Sequence, residues 1–241
     1  MSAEPIQQAT VQRFCDTFRP YGFDAAALCP AYGLAEHVCI VGAMRGLTFC
    51  ADGIGVNKAF VADIAASASI GVYIVIADPE SKRIVGNGMV GEIWVSSEFA
   101  CHGYWQKPVE TEAVFEARAY AVNQEREAGY AEPLLSDRRY LRTGDLGLIR
   151  DGRLLVLDRM KDVIIVRGRN CFSIDVEEAV YRSNPETFRG GSIAAFSVAV
   201  DQVCNEFAVL SCTCLIWLIK MADIPDELPV IVVVCVYRCR S

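Results

Sequence analysis

The 241-residue chain is 53% hydrophobic and 22% charged, which gives it the apolar material for a packed core and more length than one minimal domain needs. A formal net charge of -7 excludes the basic face by which a nucleic-acid binder neutralises phosphates, so an anionic ligand has to be held by local features. Eleven cysteines, an odd number in a long chain whose start (Met1-Ser-Ala-Glu-Pro5) lacks a charged segment followed by an apolar one, point to free thiols in a reducing, cytoplasmic setting rather than to a disulfide framework.

Val11, Phe14 and Phe18 recur at helical spacing and predict an N-terminal helix that ends at Arg19-Pro-Tyr-Gly22. A short connection through Phe23 and Leu28 leads to Pro30-Ala-Tyr-Gly-Leu-Ala-Glu36, with Tyr32 and Glu36 read at the entry to a helix. Residues 42–58 carry four glycines and little periodicity and read as loop. Gly71-Val-Tyr-Ile-Val-Ile-Ala77 reads as a strand, Asp78-Pro-Glu80 as its turn and Gly91-Glu-Ile-Trp-Val-Ser96 as the next strand. Helical, polar sequence is expected over 104–136.

Leu146-Gly-Leu-Ile149 and Arg153-Leu-Leu-Val-Leu157 flank Arg150-Asp-Gly152, a strong hairpin signal. The polar link 158–162 separates this hairpin from the strand Val163-Ile-Ile-Val166 and is the expected domain boundary. Ser173 is expected to cap a helix with Asp175, Glu177 and Glu178 in its first turns, stopping before Asn184-Pro185. The apolar runs Phe207 to Ile219 and Val230 to Tyr237 are shorter than the roughly 18 to 20 residues of a spanning helix, so no transmembrane segment is expected. Val230-Ile-Val-Val-Val234 reads as a buried strand.

Gly86-Asn-Gly-Met-Val-Gly91 matches the G-x-G-x-x-G dinucleotide pattern but leads into a strand, whereas that fingerprint needs a helix N-terminus for the pyrophosphate; it reads as an interstrand turn. A G-x-x-x-x-G-K-[ST] loop is absent. His37, Cys39 and Cys50, and Cys212-Thr-Cys214, lack paired metal-ligand spacing and read as buried groups. Tyr32 offers an aromatic face for a base, Gly33 permits close backbone approach, and Glu36 is a carboxylate able to bind Mg2+, with core and solvent-facing positions as the plain alternative. Asp145, after Thr143-Gly144 in an irregular turn beyond a strand, can accept two hydroxyls at once, as a ribose diol would offer. Arg159 and Lys161, two apart in an extended link, are read on the same side with Asp162 pointing elsewhere, structural salt bridges being the alternative.

Taken in order, Tyr-Gly-Leu-Ala-Glu at 32–36, Gly-Glu-Ile-Trp-Val at 91–95, Gly103-Tyr-Trp-Gln-Lys-Pro108 with Thr111 and Phe115, Arg142-Thr-Gly-Asp145 and Asp158-Arg-Met-Lys-Asp162 resemble the adenylate-forming acyl ligases, the superfamily of acyl-CoA synthetases, luciferases and fatty acyl-AMP ligases. The likeness runs from about Tyr21 to about Val200. It implies an α/β fold: residues 1–158 as the C-terminal part of a large adenylation domain, with mixed sheets, helices and a small distorted barrel; a hinge at 159–162; and 163–241 as the start of a small α+β domain, atypical from about 201.

The resemblance further implies ATP-dependent activation of a carboxylic acid to an acyl-adenylate. Tyr32, beside Gly33, would stack on adenine, Glu36 would help bind Mg2+, Asp145 would hold the ribose hydroxyls, Arg159 would reinforce that contact, and Lys161 would be the pivot of the hinge. Acyl-CoA synthetases usually carry lysine where this chain has Ile165, and Val163-Ile-Ile-Val-Arg-Gly-Arg-Asn170, Phe172, Asp175, Glu177 and Gly191-Ser-Ile-Ala-Ala-Phe-Ser197 are similar to fatty acyl-AMP ligases. A long-chain fatty acid is the implied substrate and an acyl carrier protein or polyketide-synthase thiol the acceptor, with Arg167 and Arg169 suited to an acidic carrier. The region 37–70 reads as shortened or rearranged. The phosphate-gripping Ser/Thr/Gly-rich loop and the late catalytic lysine are not recognisable, so this polypeptide by itself is expected to be inactive. The rival readings are a non-catalytic interaction module derived from the ligase fold and an acyl-CoA synthetase fragment.

Overall fold

Short apolar, largely β-branched segments lay down strands on both sides of a polar link. In a computed structural model the chain divides into two units, Met1–Leu157 and Asp158–Ser241. The structure describes residues 6, 8–54, 57–120, 137–166, 169–184, 186, 188, 192–200 and 204–211. The expectations for 121–136, Arg167, Gly168, the side chain of Arg169, Gly191, Cys212, Cys214 and the runs beyond Ser211 lie outside the described residues.

The first unit opens with α1 (Gln8–Phe18), which passes through a 3-10 turn and stops at Gly22, whose φ of 85° makes a left-handed cap. Its buried side is Val11 and Cys15. Phe14 and Phe18, which signalled the helix, are 43% and 42% exposed; Phe14 packs on Phe18 and on Phe23 in a separate aromatic cluster. Next come the short antiparallel pair β1 (Ala31–Tyr32) and β2 (Gly42–Ala43), then β3 (Phe60–Asp63) and α2 (Ile64–Ser69). Asp63 ends β3 and caps α2, its carboxylate accepting from Ala66 N at 2.8 Å. The expected loop over 42–58 thus contains β2, and β3 and α2 fill the stretch that follows.

Strands β4 (Tyr73–Ala77) and β5 (Gly91–Ser96) follow, then α3 (Pro108–Phe115), β6 (Leu141–Arg150) and β7 (Arg153–Arg159). Helix α3 is the described part of the expected helical stretch and starts on a proline, whose missing N–H costs nothing in a first turn. Five strands form one sheet in the order β3-β7-β6-β5-β4. Between β6 and β7, Asp151 and Gly152 have φ of 51° and 73°, the left-handed pair that a tight hairpin requires. After β4, Asp78 Oδ1 accepts from both Ser81 N and Ser81 Oγ at 2.7 Å, which holds its carboxyl below the usual range and fixes the turn.

Strand β5 is covered on both faces. Ile93 and Val95 join Val41, Val61, Ile74, Ile76 and Leu154 on one side, while Trp94 meets Ala77, Ala117, Ala119 and Tyr140 on the other. Each such fully buried large side chain contributes about 1.5–3 kcal/mol. The glycine-rich turn at 86–90 leads straight into this strand.

The second unit begins at the end of β7. Met160–Asp162 tighten into a 3-10 turn, so the link is not extended and the expected same-side placement of Arg159 and Lys161 does not follow from strand alternation. A hairpin of β8 (Ile164–Val166) and β9 (Arg169–Cys171) precedes α4 (Ser173–Ser183), which stops before Asn184-Pro185, and the antiparallel pair β10 (Ile193–Val200) and β11 (Cys204–Ser211) completes the described part. Ser173 does not cap α4 as expected. It is the first helical residue, and its N and Oγ both donate to Asp158 Oδ2, at 2.8 and 2.9 Å, so the cap comes from a buried carboxylate upstream. Among the described residues no helix is long and apolar enough to cross a membrane.

Candidate functional site

Tyr32 sits at the end of β1, 8% exposed, with its ring in the core cluster and its carbonyl accepting from Val41 N. The loop that leaves it is unusually tight. A Cβ on Gly33 would lie 1.6 Å from the Cys39 carbonyl oxygen, so only glycine lets the two ends of the loop pass. Ala35–His37 form a 3-10 turn rather than the start of an α-helix, and Val38 and Cys39 then turn the chain with φ of 50° and 78°. A β-branched residue in that region is strained and needs outside support.

The support comes from His37, which is 1% exposed: Nδ1 meets Ile40 O at 2.8 Å and Nε2 meets Ser97 Oγ at 2.5 Å. With a carbonyl opposite Nδ1, that nitrogen carries the proton and Nε2 accepts from the serine. Glu36, partly buried beside it, accepts a 2.8 Å hydrogen bond on Oε1 from Tyr104 Oη.

Asp145 stands in the middle of β6, not in a turn beyond a strand. Glu92 faces Leu146 and Trp94 faces Arg142, so Thr143, Gly144 and Asp145 bulge opposite Ile93 alone. Gly144, at φ 73°, takes the left-handed position of the bulge. Thr143 Oγ1 donates to Ile93 O at 2.8 Å and accepts from Asp145 N at 3.1 Å. The protruding Asp145 carboxylate receives the Tyr32 hydroxyl at 2.6 Å on Oδ2.

Glu92 locks this bulge from within the sheet. Its side chain is 3% exposed and accepts from Trp94 Nε1 at 2.8 Å, from Arg142 Nε and a terminal guanidinium nitrogen at 2.9 and 2.8 Å, and from Gly144 N at 3.1 Å. Neither Glu92 nor Arg142 was singled out from the sequence. The signal was a lone carboxylate alternating with tryptophan in an apolar strand, which has to be paired to be buried.

The fold therefore brings Tyr32 to Asp145, with Gly33 and Glu36 on the loop leaving Tyr32. Arg159 and Lys161, both exposed, belong to the second unit. The pairing presents a carboxylate and an aromatic hydroxyl from two different elements, an arrangement able to receive hydroxyl donors. No group of three His, Cys, Asp or Glu gathers among the described residues. A single partly exposed carboxylate such as Glu36 still fits Mg2+, which binds through one or two carboxylates and takes its other ligands from water and phosphates. His37 has both ring nitrogens engaged, and Cys50 lies 2.9 Å from an Arg150 nitrogen.

No family model matches the chain. Solved structures carry its fold: a structure from studies of fatty acyl-adenylate ligases from E. coli and L. pneumophila superposes with a TM-score of 0.65 at 25% identity, over 89% of this chain and 37% of the other. The L. pneumophila fatty acyl-adenylate ligase in complex with acyl adenylate and pyrophosphate gives 0.53 at 27% identity, over 87% of this chain and 37% of that one. Over most of its length the chain is similar to part of an adenylate-forming acyl ligase.

Within that class it resembles the fatty acyl-AMP ligases. It is 34% identical over 220 residues to the long-chain-fatty-acid–AMP ligase FadD32 of Mycolicibacterium smegmatis, covering 85% of this chain and 34% of the relative. To the medium-chain-fatty-acid–acyl-carrier-protein ligase JamA of Moorena producens it is 35% identical over 216 residues, covering 82% and 34%. The chain spans about a third of the length of these curated relatives.

Proposed function

We propose that this chain forms the adenosine-holding part of a fatty acyl-AMP ligase, which uses ATP to convert a fatty acid to an acyl-adenylate and passes the acyl group to the thiol of an acyl carrier protein or polyketide synthase. The observation that carries the reading is the 2.6 Å bond between Tyr32 and Asp145, on the loop and the bulge that bear the resemblance motifs. In this reading the Tyr32 ring, 8% exposed in the unliganded structure, turns a face out of the core to stack on adenine beside Gly33, and the Asp145 carboxylate exchanges its phenol partner for the ribose hydroxyls. Glu36 holds Mg2+ together with the nucleotide phosphates, and the ion, when bound, neutralises charge on those phosphates. Arg159 adds to the ribose contact and Lys161 is the pivot of a hinge at 159–162, between a large-domain part and a small domain.

The names of the relatives support the substrate and the acceptor: FadD32 is a fatty-acid–AMP ligase and JamA an acyl-carrier-protein ligase. A cytoplasmic setting is part of the reading, supported by six free cysteines among the described residues. The polypeptide 1–241 alone is proposed to bind adenylate without making it, because none of its segments resembles the loop that grips the phosphates as charge develops. Calorimetric titration with AMP and with a non-hydrolysable acyl-AMP analogue tests this. Binding weakened by about ten- to a hundred-fold in Asp145→Ala is expected, and failure of the wild-type chain to bind either compound overturns the reading. Fatty-acid-dependent pyrophosphate exchange by residues 1–241 alone overturns the inactivity.

A further inference from the structure

One segment, residues 97–104, holds the loop that carries Glu36 at three places. Ser97 Oγ meets the buried His37 ring, Cys101 N donates to the Glu36 carbonyl at 2.8 Å, and Tyr104 Oη donates to Glu36 Oε1 at 2.8 Å. The last contact is itself built. The Tyr104 ring packs edge-on against Phe115 at 5.2 Å, and its backbone N donates to Thr111 Oγ1 at 2.9 Å. Gly103 lies so close to Thr111 that a Cβ there would fall 2.3 Å from the threonine methyl. Helix α3 therefore fixes the phenol before any ligand arrives.

We propose that Tyr104 is a positioning residue: its hydroxyl holds one oxygen of the Glu36 carboxylate so that this group meets nucleotide-bound Mg2+ in a single orientation. The proposal rests on the reading of Glu36 as the Mg2+-binding carboxylate. A partly exposed carboxylate on a short turn otherwise samples several rotamers, and fixing it in advance removes that cost from ion binding. The phenol is suited to the task because it does not ionise near neutrality. Burial, followed by the hydrogen bond and the charge of Glu36, pushes its pKa from 10.0 up to about 12.

The test is calorimetric titration of the full chain with AMP, and with ATP in the presence and absence of MgCl2. Tyr104→Phe keeps the ring against Phe115 and removes only the hydroxyl. It is expected to weaken binding of magnesium ATP about ten-fold, the worth of a hydrogen bond to a charged group, while AMP affinity stays unchanged. Glu36→Gln should lose the magnesium dependence, and adding Tyr104→Phe to it should cost nothing more. If wild-type chain binds no AMP, the adenosine-site reading fails and this proposal with it. If AMP binds but Tyr104→Phe retains the full magnesium dependence, or wild-type shows none, the positioning role alone is overturned. Loss of AMP binding in Tyr104→Phe likewise assigns a merely structural role.

Discussion

Tyr32 and Asp145 lie 113 residues apart in sequence and share a 2.6 Å hydrogen bond in which the phenol donates to Oδ2. The partners come from a two-residue strand end and from a sheet bulge, so their meeting reports on the packing of the whole first unit. A carboxylate that accepts from a phenol can exchange that donor for the two hydroxyls of a diol.

That exchange separates the two side chains by mutation. Asp145→Ala should lower AMP affinity by about ten- to a hundred-fold, the range for losing hydrogen bonds to a charged acceptor. Tyr32→Phe keeps the ring and should change it by less than about three-fold, since in the proposed reading the phenol is displaced from the carboxylate when nucleotide binds. Equal losses in the two variants, measured by titration calorimetry, would show that the hydroxyl itself takes part in binding.

Glu92 carries the stability of the bulge. Replacing it with alanine leaves the Arg142 guanidinium and the Trp94 N–H without their acceptor, at a cost of about 3–5 kcal/mol. Glu92→Gln keeps one acceptor oxygen and should cost less. Denaturant unfolding should rank the variants in that order, and an unchanged midpoint in Glu92→Ala would contradict the buried pairing.

Gly33→Ala places a methyl 1.6 Å from the Cys39 carbonyl oxygen, a backbone atom that cannot turn aside. The loop carrying Glu36 has to open, with a stability loss of at least ~2 kcal/mol and loss of magnesium-dependent nucleotide binding. Retention of wild-type melting temperature would mean that the loop already samples a wider form.

The second unit should respond to pH through Glu177. Burial, first, and then the charges of Asp158 and Asp162 raise its pKa above the ordinary 4.5, against the lowering effect of the Ala195 N–H that it accepts at 2.9 Å. A raised acid binds its proton more tightly when folded. Its contribution is therefore fully present below 4.5 and is lost as pH climbs through the folded value. Glu177→Gln keeps an acceptor for Ala195 and removes the charge, so its thermal midpoint should exceed wild type at neutral pH and the gap should close in acid. A gap independent of pH would refute the assignment.

Local chemistry announced part of this architecture. The β-branched and aromatic runs in Gly71–Ala77 and Gly91–Ser96 and the Asp151-Gly152 turn are short-range signals, and strands β4 and β5 and the β6–β7 hairpin stand where those signals place them. Strand β3 and helix α2 escaped because Phe60-Val-Ala-Asp63 is only four residues long and the helix after it is mostly alanine and serine, with little period to detect. The bulge under Asp145 escaped for a different reason. Its register is set by Glu92, a residue on the neighbouring strand whose donors from β6, Arg142 and Gly144, are 50 and 52 residues away in sequence. Tyr32, Glu36 and Asp145 could be nominated from their motifs, whereas the supporting contacts of His37 with Ser97 and of Tyr104 with Glu36 depend on which loops the sheet brings side by side.

The bulge has a kinetic consequence. Because Gly144 N, Arg142 and Trp94 all end on one buried carboxylate, the backbone under Asp145 cannot rearrange without breaking several bonds together. A ligand arriving there finds its anchor already immobile, so association needs no ordering step in the sheet, and differences in affinity among nucleotide analogues should appear in how slowly they leave.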